Sequence, residues 1–455
     1  MEKIKETKVK NLYVGVRGIA VKILNRIERT DAYLDKLLDA EMRHSQLSSV
    51  DKALLFEIVH GVIRQLGYLD WILTGFYKGM YVKCIPNVKN AMRVGLYQIL
   101  FLDKIPTYAA INESVEFVKK IQGKKSADLT NAVLRNIIRN KENIRFPDRN
   151  ENLIQFLSAF YSHPIWLVKR WLKQYGEEFT ESLLQANNAK PSISLRVNKI
   201  KTNKPELKKL LKQVEIKFHE SKYFDEYLHL QNLSNIQDWA YFKKGYLTIQ
   251  DESTAFSVKF LDPQPGERVL DMCAAPGGKT SFLADLMKNK GEIVALDLYD
   301  GRLEMLRQNM KRLGVNIVKT VAVDLMDFND NDKFDKILAD VPCSGLGTLT
   351  KKPDIKWKRY LGELKKLNDL QLRILQKAAT LVRKNGYIVY STCSIDKDEN
   401  WNIVNKFLQK HDNFELINAS SRFSENLIDE NNCVQTFPNV HKIDGAFAAK
   451  LKKID

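Results

Sequence analysis

The chain has 455 residues, 44% of them hydrophobic, and carries 72 Lys and Arg against 55 Asp and Glu, a formal net charge of +17. That length suggests about three domains rather than one, and no apolar run approaches the ~20 residues of a membrane helix, so a soluble chain off the membrane is expected. The charge is uneven, +10 over residues 1–150, +5 over 151–250 and +2 over 251–455, which points to polyanion binding outside a nearly neutral C-terminal half, or to a Lys-rich solvated face.

The five cysteines are Cys84, Cys273, Cys343, Cys393 and Cys433. None forms a Cys-x-x-Cys pair, so neither a zinc site nor any other metal is expected. The odd, scattered count fits a reducing cytosol. The start, Met1-Glu-Lys-Ile-Lys5, is charged and lacks a secretory apolar core. A cytoplasmic monomer is expected.

Residues 11–140 read as helical. Apolar residues recur at helical spacing in Val16–Ile27, Lys52–Leu73, Val88–Leu102, Ile111–Ile121 and Ala127–Asn140. Together they make a bundle with a basic face, on which Arg17, Arg26, Arg64, Arg93, Arg135 and Arg139 are candidate phosphate contacts. Residues 141–150, with Pro147, read as a linker. A helical connector follows from Ser162-His-Pro164, in which Trp166 and Trp171 fit core positions better than base-stacking ones. Residues 192–250 change character. Strands are expected at Ile193–Val197, Glu215–Phe218, Tyr227–Leu230 and Gly245–Gln250, with a Lys-rich helix at Pro205–Leu211. No aromatic pair there has the spacing of an RNA-recognition motif.

From residue 251 the pattern alternates strand and helix. Val269-Leu-Asp-Met-Cys-Ala-Ala-Pro-Gly-Gly-Lys-Thr280 reads as a strand, a tight loop and a helix start. A phosphate-binding Gly-x-x-x-x-Gly-Lys-Thr loop would need glycine where Cys273 stands, and Gly-x-Gly-x-x-Gly is also missing. What remains is a first crossover of Rossmann type for another ligand. Glu292–Asp297 is a second strand whose terminal carboxylate lies about 20 residues after the glycines, where a ribose diol is held. Ile317–Val323, Lys336–Val341 and Gly386–Ser391 are further strands. They lead to Asp324, to Asp340 with Pro342-Cys-Ser-Gly345, and to Thr392-Cys-Ser394. Every candidate residue therefore falls at the carboxyl end of an expected parallel strand, where open α/β sheets bind ligands.

Taken together, the Cys-Ala-Ala-Pro-Gly-Gly-Lys-Thr, Pro-Cys-Ser-Gly and Thr-Cys-Ser loops resemble those of the S-adenosylmethionine-dependent RNA cytosine-5 methyltransferases. Ala91–Leu100, Ile111–Glu116 and Asn131–Asn136 resemble the helical RNA-binding domain of the NusB antitermination factor. That combination is similar, over nearly the whole chain, to the bacterial small-subunit ribosomal RNA enzymes of the Sun/Fmu type. The resemblance implies a multidomain fold: an all-α NusB-like domain over residues 1–145, a connector and small α+β ferredoxin-like module over 146–250, and an α/β Rossmann-type class I methyltransferase domain over 251–455. It implies methyl transfer from S-adenosylmethionine to the 5-carbon of a specific cytosine in 16S ribosomal RNA, cytosine 967 in the family.

Carbon 5 of cytosine is a poor nucleophile, and addition of a thiolate to carbon 6 makes it enamine-like. The resemblance assigns that thiolate to Cys393. Asp340 would hydrogen-bond the ring nitrogen N3, and Cys343 would help resolve the adduct. For the cofactor it implies the loop Cys273, Ala274, Ala275, Pro276, Gly277, Gly278 and Lys279 against the methionine part. Asp297 would hold the ribose, with Arg302 beside it, and Asp324 the adenine amine; Asp340 borders the same crevice. Lys352 stands where the family usually has His, and Ala446 replaces an aromatic residue of its closing strand. Three alternatives stay open: the same chemistry on transfer RNA or another RNA, a DNA cytosine methyltransferase, and an RNA-binding or antitermination factor with an inactive Rossmann domain.

Overall fold

The computed structural model describes residues 12–230 and 239–455; the charged start Met1–Lys5 lies outside them. The chain divides into two compact units, one running to Ala189 and including Lys352–Lys358, the other comprising Lys190–Lys351 and Arg359–Asp455.

The first unit is helical. Helices Gly15–Arg29, Ser49–Arg64, Pro86–Phe101, Thr107–Gln122 and Lys124–Arg139 enclose a core that includes Leu55, Ile58, Val62, Met92, Leu96 and Leu134. The expected helix over Lys52–Leu73 is two. Ser48 caps the first, its hydroxyl accepting from the Asp51 N–H at 3.1 Å, and the chain turns at Gln65 before Leu66–Phe76 begins. Leu34–His44 is a helix that the apolar spacing did not reveal, because it buries only Leu34, Leu37 and Leu38. Trp171 is fully buried and Trp166 half-buried.

Two of the candidate phosphate contacts are internal, which corrects the expectation for them. Arg93 is 2% exposed. Burial disfavours its charge, but Asp70, at 2.5 and 2.7 Å, and Glu28 outweigh that and hold it protonated. Arg64 is buried at the end of its helix, and burial pulls its pKa down. Arg26, Arg135 and Arg139 remain exposed.

Lys352–Lys358 completes this unit. The Trp357 indole donates to the Ile63 carbonyl at 2.8 Å and Lys356 to the Arg64 carbonyl at 2.9 Å, two of the orphan acceptors at a helix C-terminus. Asp354 accepts from the Leu34 N–H at 3.1 Å. Lys356 is fully buried, and burial pushes its ammonium pKa well down.

In the second unit, β1 (Ile193–Val197), β2 (Phe218–Glu220), β3 (Tyr227–Leu230) and β4 (Leu247–Ile249) form an antiparallel sheet in the order β2-β3-β1-β4. The second strand starts later than expected because Glu215 adopts a left-handed φ of 56°. Arg196 of β1 is fully buried. It donates to Gln250 and to the Ser281 hydroxyl, each at 2.7 Å, and lies 4.5 Å over the Phe282 ring. This ties the small sheet to the helix Gly278–Leu286.

The larger sheet has the order β10-β12-β9-β8-β5-β6-β7, with β11 on β12. β5 (Arg268–Asp271), β6 (Glu292–Asp297), β7 (Val318–Ala322), β8 (Phe334–Asp340) and β9 (Val382–Thr392) are mutually parallel. β12 (Phe447–Lys453) runs antiparallel to β9 and to β10 (Phe414–Ile417), and β11 is Val434–Gln435. Alternation along β5 sends Val269 into one apolar layer and Leu270 into the other. Helices Gly278–Leu286 and Asp300–Leu313 cover the first layer, Leu361–Leu381 and Trp401–Leu408 the second. No helix among the described residues is long and apolar enough to cross a membrane.

Candidate active site

The parallel strands bring their carboxyl ends to one edge, and the loops that follow them carry the candidate residues. β5 ends at Asp271 and runs into the glycine loop. Gly277 has φ +98°, and a Cβ there would lie 2.9 Å from Leu306 and 3.0 Å from Met310. Only glycine lets this turn pack so close to the helix Asp300–Leu313. The Ala275–Pro276 peptide is cis. Arg302 donates to the Ala275 carbonyl at 2.9 Å and pairs with Asp297 at 3.1 Å. It thereby joins the loop to the end of β6. Asp297 is 6% exposed and also accepts from the Tyr299 N–H at 3.1 Å. Asp324 is exposed just past β7, where it caps the Met326 N–H at 2.9 Å.

Asp271 did not stand out in the sequence. Its side chain is 1% exposed. One oxygen accepts from the Thr280 hydroxyl at 2.7 Å; the other is buried and has no hydrogen-bond partner. Burial, with the charge of Asp340 nearby, pushes its pKa up to about 7 against the Thr280 bond. Cys273 is half-buried, its thiol pKa pushed up by burial and by Asp340, Asp271 and Asp297.

β8 and β9 are neighbours, with Asp340 in register with Ser391. Their following loops therefore emerge side by side, and Cys343 Sγ lies 3.1 Å from Cys393 Sγ. Hydrogen bonding to Cys393, burial, and the charges of Glu399 and Asp340 all push the Cys343 thiol pKa well up. Asp340 accepts from the Ser391 hydroxyl at 2.9 Å and is ion-paired with Lys279. Lys279 thus points its charge at Asp340. Arg359 braces the Pro-Cys loop, donating to the Ser344 carbonyl at 3.0 Å. The Gly347 N–H donates to the Cys393 carbonyl at 3.0 Å, and a Cβ on Gly347 would meet the Gly445 oxygen at 2.0 Å. Cys84 and Cys433 are buried elsewhere.

One end of the sheet thus gathers Cys343, Cys393, Asp340, Lys279, the glycine loop and Asp297. Lys352, by contrast, is exposed in the segment that belongs to the helical unit. Among the described residues no group of three or more side chains is arranged to hold a metal ion. Two acceptors suit an ammonium and a ribose diol: the buried, unpartnered oxygen of Asp271 and the carboxylate of Asp297. This donor and acceptor set fits S-adenosylmethionine.

Comparison with known proteins gives matches along the chain. Residues 258–452 match the family profile described as 16S rRNA methyltransferase RsmB/F, 15–139 the NusB family, and 163–237 the ferredoxin-like domain of RsmF/B-like methyltransferases. The probable ribosomal RNA small subunit methyltransferase B of Bacillus subtilis is 36% identical over 96% of this chain and 99% of its own length. Its counterpart in Yersinia enterocolitica is 31% identical over 98% and 100%. The crystal structure of PH0851 superimposes with a TM-score of 0.81 and 28% identity, over 97% of this chain and 99% of that one. A methyltransferase homolog protein from Pyrococcus horikoshii covers 66% of this chain and 99% of its own, with a TM-score of 0.59 and 30% identity.

Proposed function

The chain belongs to the ribosomal RNA small subunit methyltransferase B family, and from that premise we propose that it methylates carbon 5 of one cytosine in 16S ribosomal RNA, the family's cytosine 967, through a covalent bond to Cys393. The observation that carries this reading is the pair of thiols 3.1 Å apart beside Asp340. A single buried cysteine is commonly inert. Two at adjacent strand ends, next to a carboxylate and a glycine loop, form a constellation for nucleophilic catalysis.

When bound, S-adenosylmethionine supplies an electrophilic methyl group. Asp271 would hold its ammonium, the 273–279 loop its methionine part, Asp297 with Arg302 its ribose, and Asp324 its adenine. The remaining work falls to the chain's own groups. Cys393 gives up its thiol proton by way of Asp340 to N3 as its sulfur adds to carbon 6, and the Asp340 carboxylate then accepts from N3–H and from the exocyclic amine, which compensates the electron flow into the ring. Lys279, paired with Asp340, keeps that carboxylate in place. After carbon 5 is methylated it must lose its proton before Cys393 can leave. Cys343, whose sulfur sits against Cys393, provides or positions the base that takes this proton, and the electron pair of the C–H bond re-forms the 5,6 double bond as Cys393 leaves. The helical unit and the ferredoxin-like module would carry the RNA.

The test is to incubate the protein with labelled S-adenosylmethionine and deproteinised RNA, then map the product by bisulfite sequencing. Label in 16S RNA at a bisulfite-resistant cytosine is expected. Label in transfer RNA alone would move the reading to that substrate, and no transfer to any RNA would overturn it.

A further inference from the structure

Glu399 is wholly buried behind the two cysteines. Each cysteine is followed by a serine, and both serines turn to this carboxylate. The Ser344 N–H donates to Oε1 at 2.7 Å, and the Ser344 hydroxyl donates to Oε2. The Ser394 hydroxyl donates to Oε2 at 2.6 Å, and the Gln371 amide to Oε1 at 3.0 Å. The two hydroxyls lie 3.2 Å apart. The backbone of Glu399 is itself fixed, its carbonyl accepting from the Tyr390 hydroxyl at 2.5 Å. A buried charge is costly unless hydrogen-bonded, and an ionised carboxylate offers acceptors only. It is therefore the group that can take all four donors at once, two from the Pro-Cys-Ser loop, one from the Thr-Cys-Ser loop and one from the helix Leu361–Leu381 beneath.

We propose that Glu399 is the positioning residue of this site, a clamp on the serine after each cysteine that sets the distance and orientation of Cys343 relative to Cys393. The proposal rests on the reading of the two cysteines given above. Both thiols must reach neighbouring carbons of one ring, so their separation has little latitude; misplacement of about 1 Å can cost on the order of 10²-fold in rate. β8 and β9 bring the loops together, but the sheet stops at Asp340 and Thr392, before either sulfur.

Two readouts test the clamp, one of them independent of methylation. Diamide takes two hydrogens from a pair of thiols and leaves a disulfide; its rate reports how the sulfurs meet, and mass spectrometry of the Cys343–Cys393 peptide reads it. In Glu399→Ala that rate and kcat should each fall at least about tenfold, with unchanged cofactor affinity by calorimetry. Glu399→Gln keeps an acceptor for the Ser344 N–H and Gln371 and turns its amide toward the rotatable hydroxyls. It should stay within about threefold of the parent in both. Should Glu399→Ala fail to fold, Ser344→Ala with Ser394→Ala removes both hydroxyl donors and should slow both readouts in the same way. Parent-like rates in Glu399→Ala, or in the double serine variant, overturn the proposal. Glu399→Gln as slow as Glu399→Ala also overturns it, because charge rather than hydrogen-bond geometry would then be acting. If the parent protein transfers no methyl group, the functional reading fails while the disulfide rates still decide the clamp.

Discussion

The ammonium of Lys279, at the end of the glycine loop, is ion-paired with the carboxylate of Asp340 at the end of β8. The loop that would hold the cofactor and the acid that would hold the base are therefore one electrostatic unit. Asp340→Asn keeps the shape but not the charge. It should lower kcat by about 10²-fold or more, with cofactor affinity within about threefold of the parent. Methyl transfer at saturating RNA measures the first and calorimetry the second. An unchanged kcat would remove Asp340 from the chemistry.

The two cysteines should separate on a denaturing gel. Cys393→Ala is expected to give neither methylated RNA nor a covalent adduct. Cys343→Ala should form the bond to carbon 6 but break it down slowly, so a protein–RNA band accumulates when cofactor is present. Adduct in Cys393→Ala and none in Cys343→Ala would exchange their roles.

For the cofactor, Asp297→Ala removes a carboxylate that is 6% exposed and paired with Arg302. Loss of a charge-assisted hydrogen bond to the ribose should weaken S-adenosylmethionine binding by about 1.5–3 kcal/mol. Equal affinity in the variant would place the ribose elsewhere.

Asp271 makes stability depend on pH. Its folded-state pKa, pushed up to about 7, lies above the ~3.9 of an unfolded chain. The stability it supports is therefore complete below that unfolded value and is lost as pH rises through about 7. Asp271→Asn should flatten this fall, by an amount of order a few kcal/mol between pH 5 and pH 8. Urea midpoints at the two pH values measure it; parallel losses in parent and variant would contradict the assignment.

On the helical unit, Arg135 and Arg139 are exposed on one helix. If they meet phosphates, replacing both with Gln should reduce the salt slope of RNA binding by about 0.7–0.9 per lost contact. An unchanged slope would make this face merely solvated.

What the sequence disclosed, it disclosed through spacing. Strand periodicity followed by small-residue loops placed Asp297, Asp340, Cys343 and Cys393 at strand ends, because a parallel sheet aligns those ends whatever lies between. It could not disclose partners that arrive from distant turns. Glu399 sits in Asp396-Lys-Asp-Glu-Asn400, a run that reads as a solvated surface, and only the folded turn sends it inward. Arg93 reads as a surface cation until Glu28 and Asp70 close over it. Asp271 is concealed for the opposite reason: a carboxyl at the end of an apolar strand gives no sign of whether both oxygens will find donors.

The segment Lys352–Lys358 also sets a timetable for synthesis. Ile63, Arg64 and Leu34 leave the ribosome early, but Trp357, Lys356 and Asp354 that bond to them follow roughly 300 residues later. At about 5–20 residues per second, the nascent helical bundle waits on the order of fifteen to sixty seconds with those backbone groups open to water. Those bonds can form only after most of the chain has been made, so a fragment ending at residue 189 would lack them.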